Sequence, residues 1–71
     1  MVRLNGTECI YRPGMSLKEL VDNYNADFHK HLGFDEVVIL VNDTAITAKQ
    51  ARERILLDND KIIIVPMIDG G

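Results

Sequence analysis

The sequence predicts an α+β domain: a mixed sheet of four to five strands packed on one main helix. Three observations predict it. Asn5-Gly6 sits between two short alternating runs. A serine followed by apolar residues at helical spacing comes next. Two runs rich in β-branched residues, 36–41 and 61–65, fill the second half.

Asn-Gly between alternating runs signals a type I′ turn, which needs two positive φ angles. A two-residue turn pairs Leu4 with Thr7, Arg3 with Glu8 and Val2 with Cys9. Val2, Leu4, Cys9 and Tyr11 then share one face. Arg3 and Glu8 form a charge pair on the other. Pro13-Gly14 breaks the second strand. Ser16-Leu17-Lys18-Glu19 reads as a capping box, with the serine oxygen capping a free N–H and Glu19 reaching back. Leu17, Leu20, Val21, Tyr24 and Phe28 form one apolar stripe. The spacing predicts a helix over 17–25 and a less regular helical turn over 26–32.

Residues 36–41 read as a strand by their β-branched content. Asn42-Asp43 makes the next turn, and Ala45-Ile46 is a short edge segment. Residues 49–56 predict a helical turn with Ala51, Ile55 and Leu56 inward. Asp58-Asn59-Asp60 is a turn by composition. The run 61–65 is apolar at consecutive positions, as in a central strand buried on both sides. The first and last strands become central neighbours, with the helix across one face. Pro66 cannot donate to a ladder and marks where pairing weakens. The expected core is Val2, Leu4, Leu17, Leu20, Val21, Ile39, Val41, Ile55, Ile62 and Ile64. Residues 1–71 form a single domain, with 67–71 a flexible C-terminal tail.

Composition narrows the function. A chain of 71 residues buries only ~60% of its unfolded surface and has little room for a substrate pocket beside its core. A hydrophobic content of 46% makes it globular. A formal charge of −3 disfavours nucleic acid and suits basic protein partners. Cys9 is the sole cysteine, which excludes an internal disulfide and fits a reducing cytosol. No apolar run reaches membrane-spanning length, and the first residues lack a signal peptide's apolar region. The expectation is a cytoplasmic protein without a membrane partner.

The sequence ends Ile68-Asp69-Gly70-Gly71. Gly averages about 7% of residues, so two in last place arise by chance in roughly one chain in 200. Without Cβ, Gly-Gly can thread a narrow channel and present a bare carboxylate to another protein's active site. The alternative is a frayed terminus.

The element order, the start Val2-Arg3-Leu4-Asn5-Gly6, the Val41-Asn42 turn, the Leu57-Asp58-Asn59-Asp60 turn, the apolar last strand and Gly70-Gly71 together carry a resemblance. The chain resembles the ThiS family, ubiquitin-like β-grasp sulfur carriers of thiamin biosynthesis, over essentially its whole length. The small subunit of molybdopterin synthase shares the fold and the ending. Four positions depart from the family pattern. Asn59 stands where the family's last turn has Gly. Ala48 stands where members often carry Arg. Asp69 replaces a small neutral residue, and 25–31 is longer than usual. Asn tolerates positive φ, so the last turn survives.

The resemblance implies a carrier and not an enzyme, with no bound cofactor. An E1-like adenylyltransferase of the ThiF type would use ATP to adenylate Gly71. Sulfur, supplied through a cysteine desulfurase, would then convert Gly71 to a thiocarboxylate. A thiazole synthase of the ThiG type would receive that sulfur. Gly70 and Asp69 are the tail spacer. The alternatives are a sulfur carrier for molybdopterin or another sulfur-containing product, and a β-grasp interaction domain or protein modifier whose Gly-Gly is not thiocarboxylated.

Other residues carry less. Cys9 points inward by the hairpin register, as a small hydrophobe. His29 and His31 share no helix face and bring no further ligands. Lys49, Arg52 and Arg54 read as a solvated face. Residues 37–41 are apolar throughout, and one helix covers one sheet face. The other side chains are either covered by the second short segment or exposed as a partner patch.

Overall fold

Asn5 and Gly6 take φ of 50° and 84°, the left-handed pair that a type I′ turn requires. The turn joins β1 (Val2–Leu4) to β2 (Thr7–Cys9) in the expected register, Val2 opposite Cys9 and Leu4 opposite Thr7. The computed structural model describes residues 1–67. Arg3 and Glu8 form the cross-strand ion pair at 3.3 Å.

Helix α1 runs Leu17–Phe28. Ser16 Oγ accepts from the Glu19 N–H at 3.0 Å, but Glu19 does not reach back. Its carboxylate takes Arg12 instead, at 2.7 Å. The complete capping box lies elsewhere, at Thr47 and Gln50, where it starts α2 (Ala48–Glu53). The expected irregular turn over 26–32 is also corrected. Residues 26–28 continue α1, and His29 ends it in the left-handed conformation at φ 55°. Phe28 extends the helix by stacking on Tyr24, with ring centroids 5.0 Å apart. Asn25, a candidate helix end, instead holds the following loop. Its amide donates to the Leu32 carbonyl and accepts from the Leu32 N–H, both at 2.9 Å.

Strand β3 (Val37–Val41) turns at Asn42 and Asp43, with φ of 51° and 70°, into β4 (Thr44–Ile46). Strand β5 (Lys61–Pro66) lies between β1 and β3. The sheet order is β2-β1-β5-β3-β4, with β1 and β5 parallel and every other pair antiparallel. One parallel pair in the middle of a five-stranded sheet crossed by a helix is the β-grasp arrangement anticipated from the element order.

Both helices pack on one side. The core joins Val2, Leu4, Leu17, Leu20, Val21, Ile39, Val41, Ala51, Leu56, Ile62 and Ile64, with Met15 closing it. Ile55 is the one expected member that is absent, being 54% exposed. It lies after α2, in an extended segment bridged to Ser16. There side chains alternate, so burying Leu56 turns Ile55 out. Strand β5 is likewise buried on one face only: Ile62 and Ile64 are enclosed, Ile63 is half-buried and Val65 is exposed. With two helices on the same side, nothing among the described residues covers the opposite face.

Leu20 is fully buried in this core. Leu20→Ala is expected to cost about 2–5 kcal/mol, a large share of a small domain's stability. Chemical denaturation should show this as a lower midpoint with the slope unchanged.

Candidate functional site

Of the predicted tail 67–71, residues 68–71, with Asp69, Gly70 and Gly71 among them, lie outside the described residues. The structure does describe the strand from which they follow. Strand β5 bonds on both flanks, and its last ladder bond comes after the proline: the Met67 N–H donates to the Glu36 carbonyl at 3.0 Å. Pairing thus passes Pro66, contrary to expectation. Pro66 itself sits opposite Val37. It lacks only its own N–H, and the residue after it resumes donation. Glu36, the acceptor, has a positive φ of 58°.

The flank toward β1 is held by a side chain. β1 ends at Leu4, two residues short of what β5 needs. The Asn5 N–H donates to the Ile62 carbonyl at 2.9 Å. The Asn5 amide then acts as a surrogate strand residue. It donates to the Ile64 carbonyl at 2.9 Å and accepts the Ile64 N–H at 2.8 Å. The amide carries its donor and its acceptor on separate atoms of one planar group, as a backbone peptide does. The turn signal at Asn5-Gly6 was legible in the sequence, but this second role of Asn5 was not.

The start of β5 is fixed by Asp60, which is only 4% exposed. Its carboxylate accepts from Asn42 Nδ2 at 2.8 Å, from the Leu57 N–H at 2.9 Å and from Arg54 Nη2 at 3.2 Å. Asn42 Oδ1 in turn accepts the Lys61 N–H at 2.9 Å. Burial alone would raise the Asp60 pKa. Donors from Leu57, Asn42 and Arg54 outweigh it and hold the carboxyl below its ordinary value. Asn59 in the same turn has φ of 70°, as expected of Asn in a Gly position. The sequence marked Asp60 only as part of a turn. Its buried role needs the Asn42 turn beside it, which only the fold supplies.

Beside β5 the outer face of the sheet is apolar. Val38 lies opposite Val65, and Leu40 lies opposite Ile63 and Ala45. Val38, Ala45 and Val65 are exposed, and Leu40 and Ile63 are half-buried. Toward β1 and β2 the same face turns polar, with Arg3, Glu8 and Lys61. The alternative that the second short segment covers this face is excluded, because α2 packs with α1.

The lesser candidates resolve as follows. Cys9 is half-buried on the Val2 face, and its thiol donates to the Thr7 carbonyl at 3.6 Å. Burial pushes its pKa up, and the Asp27 charge adds to this against a backbone hydrogen bond from Leu4. A raised thiol pKa is the opposite of an activated nucleophile. Among the described residues, no group of three or more His, Cys, Asp or Glu could hold a metal ion. The basic cluster is divided: Arg52 pairs with Asp35 at 2.8 Å, and Arg54 turns inward to Asp60. No helix among the described residues is long and apolar enough to cross a membrane.

The model of the ThiS family matches residues 2–71. The chain belongs to the ThiS family. No curated protein matches it. Membership gives this ThiS chain a sulfur carrier role in general and the ubiquitin-like fold seen here. Members of the family are small carriers and not enzymes, and they act with sulfur-transfer enzymes. The matched span contains Gly70 and Gly71.

The Asp60 cluster predicts acid sensitivity. A carboxyl held below its unfolded value contributes stability in full above that value, near 3.8. The contribution is lost as pH falls through the lower folded value. Asp60→Asn should therefore flatten the dependence of stability on pH below about 4, measured by urea denaturation across that range.

Proposed function

We propose that Gly71 is the sulfur-bearing residue of this ThiS chain and that the sulfur is destined for the thiazole of thiamin. The family match running through residue 71 carries this reading. A carboxylate is a poor electrophile, because oxide would have to leave. An E1-like adenylyltransferase of the ThiF type overcomes this with ATP. A Gly71 carboxylate oxygen attacks the α-phosphorus, pyrophosphate leaves, and an acyl-adenylate forms. A persulfide sulfur, loaded from cysteine through a desulfurase, adds to the acyl carbon and AMP leaves. A thiol then attacks the S–S bond of the acyl disulfide, so that the thiocarboxylate is released and the two thiol sulfurs are left as a disulfide. The resulting thiocarboxylate passes its sulfur to a thiazole synthase of the ThiG type. The chain needs no general base, metal or bound cofactor of its own. It supplies a slender acceptor and a surface that positions it.

The architecture supports this division of labour. A tail alone would bind weakly and without selectivity. Residues 69–71 follow a strand that is bonded on both flanks as far as Met67. The apolar patch of Val38, Leu40, Ile63 and Val65 lies beside that strand on a rigid sheet, so docking there loses little entropy. The cytoplasm, where ATP and reduced sulfur are available, is the compartment this chemistry suits.

Intact-mass measurement tests the terminus. Incubation with an E1-like adenylyltransferase, ATP and a sulfur source should replace one oxygen of the chain by sulfur. Deleting Gly71 should abolish loading and leave the fold intact. Gly70→Val should do nearly the same by placing a β-branched side chain in the channel. Efficient loading of the Gly71-deleted chain would overturn the proposal.

The patch has its own test. Val65→Glu places a charge on the outer face without touching the core. It should lower kcat/KM for adenylation by about tenfold or more, as expected of a central contact residue. Chemical-shift mapping with the adenylyltransferase should perturb Val38, Leu40, Ile63 and Val65. Perturbations confined to the helix side, over 16–30, would contradict this placement.

A further inference from the structure

The sheet has a second accessible feature, on the side away from β4. Strand β2 is an edge strand. Between it and the C-terminal half of α1 lies a groove of about 440 Å³, within the ~300–1,000 Å³ range of binding clefts. Cys9, Met15, Leu20 and Tyr24 line it with apolar surface. Ile10, 73% exposed, and Phe28, 48% exposed, stand at its rim. The stripe of α1 thus runs past the core: its first members are buried, and Phe28 is left for something else to cover.

The edge beside the groove offers hydrogen bonds. In a two-residue hairpin the pair that closes the turn, Leu4 and Thr7, exchanges both backbone bonds. The next pair, Arg3 and Glu8, exchanges none. The N–H and C=O of Glu8 therefore point away from β1, toward open space. The same alternation turns those of Ile10 outward. Two outward donor–acceptor pairs flank an apolar groove, the layout that an added strand needs.

Charge selects the occupant. Glu8 is neutralised by Arg3, and Arg12 at the rim is neutralised by Glu19. Asp27 lines the groove and makes no ion pair among the described residues. A second copy of this chain is a poor occupant, because it carries a net charge of −3 and would bring a second Asp27 to the same seam.

We infer that this groove is a docking site for an extended apolar segment of a partner protein, flanked by lysine or arginine, which adds to β2 as a sixth strand. The short β2 limits the added strand to a few residues. Alternate side chains of that strand fill the groove, and its basic flank meets Asp27. Strand β2 is two strands from β5, about 10 Å at the usual ~4.8 Å spacing. The groove also opens toward the helix side and not the outer face. A protein held here leaves the Val38–Val65 patch free for another. This assignment stands on different residues from the carrier chemistry proposed above, and its test does not involve sulfur loading.

The test is an amide-detected titration of the full chain with a synthetic octapeptide. The peptide has four alternating valine and isoleucine residues with two lysines on each side. Shift changes are expected at residues 8–10 and 23–28, with Val38 and Val65 unmoved. A peptide with glutamate flanks should bind at least about threefold more weakly, and Asp27→Asn should remove most of that difference. Ile10→Pro takes away one outward N–H and should weaken binding by about fivefold. If that variant misfolds, the Asp27→Asn comparison still decides. Equal binding of both peptides, shifts on the outer face, or no saturable binding at millimolar peptide would each overturn the inference.

Discussion

The domain depends on β5 being held from both sides. Its neighbours come from opposite ends of the chain: β1 precedes the helix and β3 follows it. Asn5 and Ile64, which meet across this seam, are 59 positions apart. Closing the central seam therefore brings together segments that the helix, the long loop and the second hairpin separate in sequence. Pairings this distant pay their loop-closure entropy before they return any stability. The enclosed side chains of Ile62 and Ile64 supply the return, because each reaches the shared core beneath α1. For a carrier this places a strand bonded on both flanks before the residues proposed to carry the sulfur. The ladder bond from Met67 continues that hold to the edge of the described chain.

Short polar side chains complete what the short strands leave undone. β1, β2 and β4 have three residues each, too few to satisfy the backbone around them. Three asparagines make up the shortfall. Asn5 extends β1 alongside β5, Asn42 ties the second hairpin to Lys61 and Asp60, and Asn25 anchors the loop after α1. Each uses both ends of its amide, so replacement by Asp would leave an acceptor facing an acceptor. Asp60 plays the complementary part. It gathers three donors, and a buried carboxylate with three donors is stable where an unpaired one would not be.

Much of this was legible in the sequence. The Asn5-Gly6 turn fixed a register that the structure reproduces pair by pair, because positive φ at two successive positions admits few alternatives. Helical spacing placed Leu17, Leu20 and Val21 in the core for the same reason. The errors share a cause. Ile55, the double-sided burial of β5 and the Glu19 half of the capping box each required knowing what stood opposite. Ile55 follows the extended period and not the helical one. Among the described residues the outer face of β5 has no layer above it, and Arg12 competes for Glu19. The candidate tail rests on Gly70-Gly71 and the family likeness alone, and residues 68–71 lie outside the described residues. The apolar patch could be posed from residues 37–41 only as a choice between covered and exposed. The roles of Asn5 and Asp60 were hidden, since a turn residue and a clamp look alike until the strand beside them is placed.

Asn5 also gives the molecule a chemical clock. Gly6 has no side chain to hinder attack of its backbone nitrogen on the Asn5 side-chain carbonyl carbon, which closes a five-membered imide ring and expels ammonia with time. Hydrolysis of the ring that forms leaves a carboxylate where the amide stood. The donor to the Ile64 carbonyl is then gone, and a carboxylate oxygen faces the carbonyl oxygen with no proton between them. An aged molecule would keep its core and its Gly70-Gly71 pair while loosening the strand that carries them. Faster exchange at the Ile64 amide, growing with storage, would be the mark of that ageing.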